Sequence, residues 1–109
     1  MQASLDALAE PRRREILALI RDRELAAGEI AANFEVTRSA ISQHVGVLKL
    51  AGLVTERREG TKRLYRARPE GLADLRAFID EFWSERLDDL VREAEREERS
   101  SKHDHASDN

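Results

Sequence analysis

Between Thr37 and Arg68 the chain carries eight basic side chains (Arg38, Lys49, Arg57, Arg58, Lys62, Arg63, Arg66 and Arg68) and two carboxylates, Glu56 and Glu59. No carboxylate at all occurs from Thr37 to Val54, where Arg38, Ser39, Ser42, Gln43 and Lys49 stand among apolar residues. Cations and short hydrogen-bonding side chains in such a run suit phosphate oxygens and base edges. The local balance of +6 contrasts with a net charge of −3 for the whole 109-residue chain. Residues 1–68 sum to +4 and residues 69–109 to −7. A basic patch confined to one segment of an acidic protein is the footprint of nucleic-acid binding on one face. Grouped carboxylates at Glu85, Asp88 and Asp89 read as a solvated face that repels nonspecific DNA, and no arrangement of nucleophile, base and orienting acid stands out. The chain is not expected to be an enzyme.

The elements that must position these residues follow from periodicity and punctuation. Leu5 and Leu8 mark a short amphipathic turn that stops before Pro11, and Pro11 suits the first position of a second helix running to about Arg23. Arg12, Arg13 and Arg14 crowd that start, where cations oppose the helix dipole. Phosphate contact and pairing with acidic neighbours are equally weighted explanations. A short helix is expected over 27–33 and a tight connection over 34–36. Thr37 then caps a helix whose Ile41, Val45 and Leu48 recur at i, i+4 and i+7. The buried face so defined leaves Arg38, Ser39, Ser42, Gln43, Gly46 and Lys49 on the other side.

Gly52 stops that helix. Leu53 to Arg58 and Arg63 to Ala67 then read as two strands around Gly60, a left-handed turn residue. Pro69 and Gly71 precede a final helix from about Leu72 to Glu98. Its stripe of Leu72, Leu75, Ile79, Phe82, Trp83, Leu87, Leu90, Val91 and Ala94 runs about 40 Å at 1.5 Å per residue. So small a domain cannot cover all of that stripe, whereas a second subunit can. The expected class is mainly α with one β-hairpin: a single winged helix-turn-helix domain over 1–98, followed by a disordered polar tail over 99–109.

Composition narrows the remaining chemistry. There is no cysteine, which excludes disulfides, thiolate metal sites and thiol redox sensing. The amino terminus lacks the basic-then-apolar pattern of a signal peptide and no stretch approaches a membrane span, so a cytoplasmic protein without membrane contact is expected. His103-Asp104-His105 reads as part of a solvated tail rather than a metal site. His44 reads as a packing or neutral DNA-proximal residue in preference to a pH-sensitive contact. Phe78, Phe82 and Trp83 read as interface core in preference to an effector pocket between subunits.

The segments "LAEPRRREILALI", "AGEIAANFEVTRSAISQHVGVLKLAGLV", "REGTKRLYR" and "FWSERLDDL" resemble the ArsR/SmtB family of bacterial winged helix-turn-helix repressors. The resemblance implies a homodimer joined by its first and last helices, whose two recognition helices enter successive major grooves of an inverted-repeat, double-stranded DNA operator. It also suggests autoregulation. The implied DNA-contact set is Thr37, Arg38, Ser39, Ser42, Gln43, His44 and Lys49 of the helix, with Arg58, Lys62 and Arg63 of the wing. Gln43 pairing with adenine and Arg38 with guanine or phosphate are both open. The implied dimer interface is Leu5, Leu8, Phe78, Ile79, Phe82, Trp83, Leu87 and Leu90. The family's metal sensors place two cysteines where this chain has Ala26 and Gly28, and histidines along a final helix that here has none from Leu72 to Glu98. No cofactor or metal is therefore expected, and no effector is indicated. A winged-helix module that binds protein instead of DNA is the competing reading, which the +6 segment disfavours.

Overall fold

The computed structural model describes the backbone of residues 1–107 and the side chains of residues 1–99. Its elements, in chain order, are α1 (Gln2–Ala9), α2 (Pro11–Leu19), β1 (Leu25–Ala26), α3 (Ala27–Ala31), α4 (Arg38–Leu50), β2 (Val54–Glu59), β3 (Lys62–Ala67) and α5 (Pro69–Ser107). The chain divides into two units, Met1–Leu75 and Arg76–Asn109. The winged helix-turn-helix expected from the sequence is the observed fold of the first unit.

The core is a single cluster whose fully buried large side chains are Ile16, Ile20, Ile30, Ile41, Val45, Leu48 and Leu53. Ile41, Val45 and Leu48 form the inward face of α4 as their spacing requires. At its start Thr37 Oγ1 accepts from the Ala40 amide at 3.1 Å, satisfying one of the donors that a helix leaves open at this end. At its end Gly52 takes φ +79°. There the Leu53 amide donates to Leu48 O and the Gly52 amide to Lys49 O, both at 3.0 Å, a Schellman closure that turns the chain straight into β2.

Helix α2 and the sheet both differ from the sequence expectation. Helix α2 ends at Leu19 instead of near Arg23, because the Ile20 carbonyl accepts from the Ala67 amide of β3 at 3.0 Å and is drawn out of the helical path. The hairpin is also part of a three-stranded antiparallel sheet ordered β1-β3-β2, with Leu25 opposite Tyr65 and Ala26 opposite Leu64. A two-residue strand is too short to show alternation, so periodicity does not reveal it. Within the hairpin Glu59 faces Lys62 across the loop Gly60-Thr61. Gly60 has φ +63° and Thr61 a negative φ, the signs of a type II′ turn.

The bounds of α5 are wider than the expected 72–98 at both ends. At its start Pro69 suits a first helical turn, where its missing N–H costs no hydrogen bond. Apart from Arg99, the side chains of the expected tail at 99–109, His103 and His105 among them, lie outside the described residues. In the second unit Phe78, Phe82, Trp83, Leu87, Leu90 and Val91 are exposed, Trp83 at 52%, and Ile79 is half-buried. Phe82 and Trp83 meet edge-to-face with centroids 5.8 Å apart, and Arg86 lies over the Phe82 ring. Phe78 and Phe82 line a shallow hollow of about 220 Å³ with Glu81 and Glu85, and Trp83 is not part of it.

Two glycines give a stability test with opposite signs. A Cβ on Gly71 would lie 2.0 Å from the Gly52 carbonyl oxygen, whereas one on Gly46 would meet nothing within 4 Å. Gly71→Ala should destabilise the fold by about 1–3 kcal/mol or more through overpacking against backbone. Gly46→Ala should stabilise it by up to about 1 kcal/mol through helix propensity. Urea denaturation of both variants checks the pair.

Candidate nucleic-acid interface

Placing Ile41, Val45 and Leu48 in the core turns Thr37, Arg38, Ser39, Ser42, Gln43 and Lys49 outward, and all six are exposed. Arg58, Lys62 and Arg63 are exposed on the hairpin. Helix and hairpin form the two walls of a groove of about 790 Å³, with Arg38, Ser42, Gly46 and Lys49 on one side and Thr61, Lys62 and Arg63 on the other. The structure therefore brings five of the ten candidate DNA-contacting residues together at one concavity. Thr37, Ser39, Gln43, His44 and Arg58 do not line it. Ala26 and Gly28, the positions without donor atoms, lie along its floor beside α3. Glu29, also in the lining, is occupied: its Oε1 accepts from the Ala26 amide at 3.0 Å, capping the five-residue α3.

The three arginines at the start of α2 have a role that neither explanation from the sequence contains in full. Arg13 donates from Nε to Ala7 O at 2.6 Å and from Nη2 to Asp6 O at 3.3 Å. Arg14 donates from Nη1 to Leu8 O at 2.7 Å and to Ala9 O at 3.4 Å. These are the last four carbonyls of α1, the ones a helix leaves without partners at its negative end. The cations that oppose the dipole of α2 thus complement the dipole of α1. Arg12 alone has the acidic neighbour, pairing with Glu15 at 3.0 Å while stacking over Phe34. Arg13 also reaches His44, half-buried on α4, with Nη1 3.5 Å from Nδ1. An arginine can only donate, so this contact requires the His44 proton on Nε2.

The wing is tied down by ion pairs that sequence spacing does not announce. Arg57 of β2 grips Glu24 through two donors, Nε to Oε2 at 2.9 Å and Nη2 to Oε1 at 3.1 Å, and also meets Glu59 at 3.3 Å. Glu56 lies between Lys49, with which it forms a short ion pair, and Arg63, whose Nε is 3.5 Å from Oε1. Residues 24 and 57 are 33 apart in sequence, a separation at which no local rule pairs them. The basic residues of the segment are therefore not equivalent. Arg57 is engaged by two carboxylates, while Arg38 and Lys62 have no ion-pair partner among the described residues.

An α-helical pair presenting an unpaired polar face, flanked by a basic β-hairpin across a groove, defines a winged helix-turn-helix DNA-binding protein. A family model for bacterial regulatory proteins of the arsR family matches residues 10–56, and the chain belongs to that family. It is 47% identical over 81 residues to the HTH-type transcriptional regulator Rv2034 of Mycobacterium tuberculosis, covering 74% of this chain and 76% of that protein. A crystal structure described as a possible transcriptional regulator for arsenical resistance is 49% identical, with a TM-score of 0.71 over 83% of this chain and 94% of the other. The homodimeric winged helix-turn-helix DNA-binding domain of Mb0332 from Mycobacterium bovis, a possible ArsR-family regulator, is 36% identical with a TM-score of 0.63, covering 77% and 78%.

The Glu24–Arg57 pair makes a pH-dependent contribution of known sign. The hydrogen bond from Arg57, and after it the opposing cost of removing the carboxylate from water, leave the Glu24 carboxyl below its ordinary value of 4.5. A group whose folded pKa is depressed stabilises the fold above its unfolded pKa and loses that contribution as pH falls through the folded value. The melting temperature of the wild type should therefore exceed that of Glu24→Gln at pH 7, with the gap closing below about pH 4.5. A gap that stayed constant from pH 7 to pH 3 would count against the pair.

Proposed function

We propose that this chain is a homodimeric, sequence-specific transcriptional repressor that acts in the cytoplasm on an inverted-repeat operator, and that it controls its own gene. The observation that carries the reading is the groove between α4 and the wing, where exposed cations from both walls face a helix surface free of carboxylates. Residues 1–98 supply the working domain in this reading. Ser42 and Gln43, with Arg38, address base edges in the major groove. Lys62 and Arg63 at the wing tip, with Arg58, address phosphates. Two such faces held at a fixed separation read two half-sites, and a bound dimer represses by occupying the promoter. No catalytic role is assigned to any residue.

The exposed stripe on α5 supports dimerisation. Phe78, Phe82, Trp83, Leu87, Leu90 and Val91 are each 39–56% exposed, more apolar surface than a monomer ordinarily leaves in water. With Ile79, and with Leu5 and Leu8 of α1 (both half-buried), they form the proposed interface. Introducing charge there gives a direct test. The variant Trp83→Asp/Leu87→Asp should be monomeric or aggregated by light scattering and should lose operator binding. An unaltered protein that is monomeric at micromolar concentration would remove the two-half-site arrangement.

Salt separates the roles of wing and helix. Each phosphate contact contributes about 0.9 to the slope of log affinity against log salt, whereas a neutral base contact contributes almost nothing. Lys62→Ala, counted in both half-sites, should weaken operator and nonspecific DNA alike and flatten the slope by about 1.8. Gln43→Ala should leave the slope unchanged and weaken the operator alone, by about 1–3 kcal/mol per base contact. The operator comes from sequencing genomic fragments that the purified protein retains, and binding is read by fluorescence anisotropy between 50 and about 300 mM salt. If neither substitution affects any DNA, the chain is a protein-interaction module on the same fold.

A further inference from the structure

Within the DNA-facing groove, one carboxylate holds a cation from each wall. Glu56 of β2 has a side chain only 17% exposed, set between Lys49 of α4 and Arg63 of β3. Lys49 and Arg63 are themselves 50% and 57% exposed, so their other sides remain open to water. The other carboxylate in the lining, Glu29, serves a backbone amide and takes no side-chain cation. Arg38 and Lys62 line the same groove without an ion-pair partner among the described residues.

We propose that Glu56 restrains sequence-independent DNA binding by acting as an internal substitute for a phosphate, engaging Lys49 and Arg63 so that the backbone of arbitrary DNA cannot recruit both. The inference rests on the DNA-binding reading above. Its physical basis is that nonspecific affinity consists almost wholly of phosphate contacts, so a cation already neutralised inside the protein releases no counterion from DNA. The two cations beside it favour the charged carboxylate, while its partial burial opposes it. The hydrogen bond from Lys49 is the largest influence, outweighing the cost of desolvation, and holds the Glu56 carboxyl below the ordinary carboxylate range. The carboxylate is therefore charged at neutral pH. Base-edge contacts from the outer face of α4 do not pass through Glu56, so they stay available while background attraction is lowered.

Glu56→Gln keeps the shape of the side chain and removes its charge. On a nonspecific duplex at 0.1 M salt the variant should bind roughly tenfold more tightly for each additional phosphate it engages, with the slope steepened by about 0.9 per phosphate. Adding Lys49→Met to Glu56→Gln should remove the share of that increase owed to Lys49, and adding Lys49→Met with Arg63→Met should abolish it. Unchanged or weaker nonspecific binding by a folded Glu56→Gln would overturn the proposal and make Glu56 an aligning group for the two cations. A second measurement needs no variant of Glu56. In the unaltered protein the Lys49 ammonium signal, followed by nitrogen-edited NMR, should hold its position when nonspecific duplex is added. A shift to a phosphate-bound position would overturn the proposal even if Glu56→Gln failed to fold. Wild-type protein that bound no duplex at any salt would instead sink the DNA-binding reading itself.

Discussion

Burial of Ile41, Val45 and Leu48 is the constraint on which the rest of this molecule depends. Those three side chains commit one side of α4 to the core, and with no freedom left about the helix axis the polar residues between them must face water. Rotating the helix to turn Arg38, Ser42 or Gln43 inward would expose three large apolar groups and bury unpaired polar ones, a double cost. The ends of α4 are held as firmly as its face. Thr37 caps the start, and the left-handed Gly52 closes the end and aims the chain into the wing. Ser4 of α1 donates to the Ala51 carbonyl at 3.2 Å, tying the first helix to that same closure.

From this placement the electrostatic organisation follows in two places. At the α1–α2 junction, half-buried Arg13 and exposed Arg14 are engaged by the four terminal carbonyls of α1 and help to lock α1 against α2. On the wing, Arg57 is engaged by Glu24 and Glu59, and Glu56 lies between Lys49 and Arg63, which stay half exposed. Cations without an ion pair among the described residues are a smaller set than the raw count, Arg38, Arg58 and Lys62 among them. Exposed ion pairs contribute little stability one by one, so their value here lies in deciding which cations stay available. A chain with a net charge of −3 can in this way carry a basic face without becoming a general binder of nucleic acid.

The second unit serves a different purpose by the same logic. Its apolar residues recur with helical period but stand exposed, and its polar residues are dominated by Glu and Asp. An apolar stripe bordered by like charge suits self-association and disfavours contact with DNA. In the proposed function the winged unit reads DNA and this helix pairs the subunits. No helix among the described residues is long and apolar enough to cross a membrane.

How much of this was legible beforehand depended on the range of the interaction concerned. The i, i+4, i+7 recurrence of Ile41, Val45 and Leu48, the Thr37 cap, and the left-handed glycines at positions 52 and 60 are local signals. By themselves they determined the winged fold and the outward face of α4, as the helical period of the apolar residues from Leu72 to Val91 determined the stripe of α5. Each rests on a relation between residues a few positions apart, which the chain expresses wherever it folds. Tertiary structure alone decided where α2 stops, since that turns on a hydrogen bond from the Ala67 amide to the Ile20 carbonyl. It alone added the two-residue β1 to the sheet, through pairing with residues about forty positions away. It also decided which cations are occupied, because Glu24 meets Arg57 only after the strand carrying Arg57 has been folded back beside the α2–β1 loop. A charge in a sequence has a sign but no neighbour, and the distance to its partner, which sets the strength of the interaction, exists only in three dimensions.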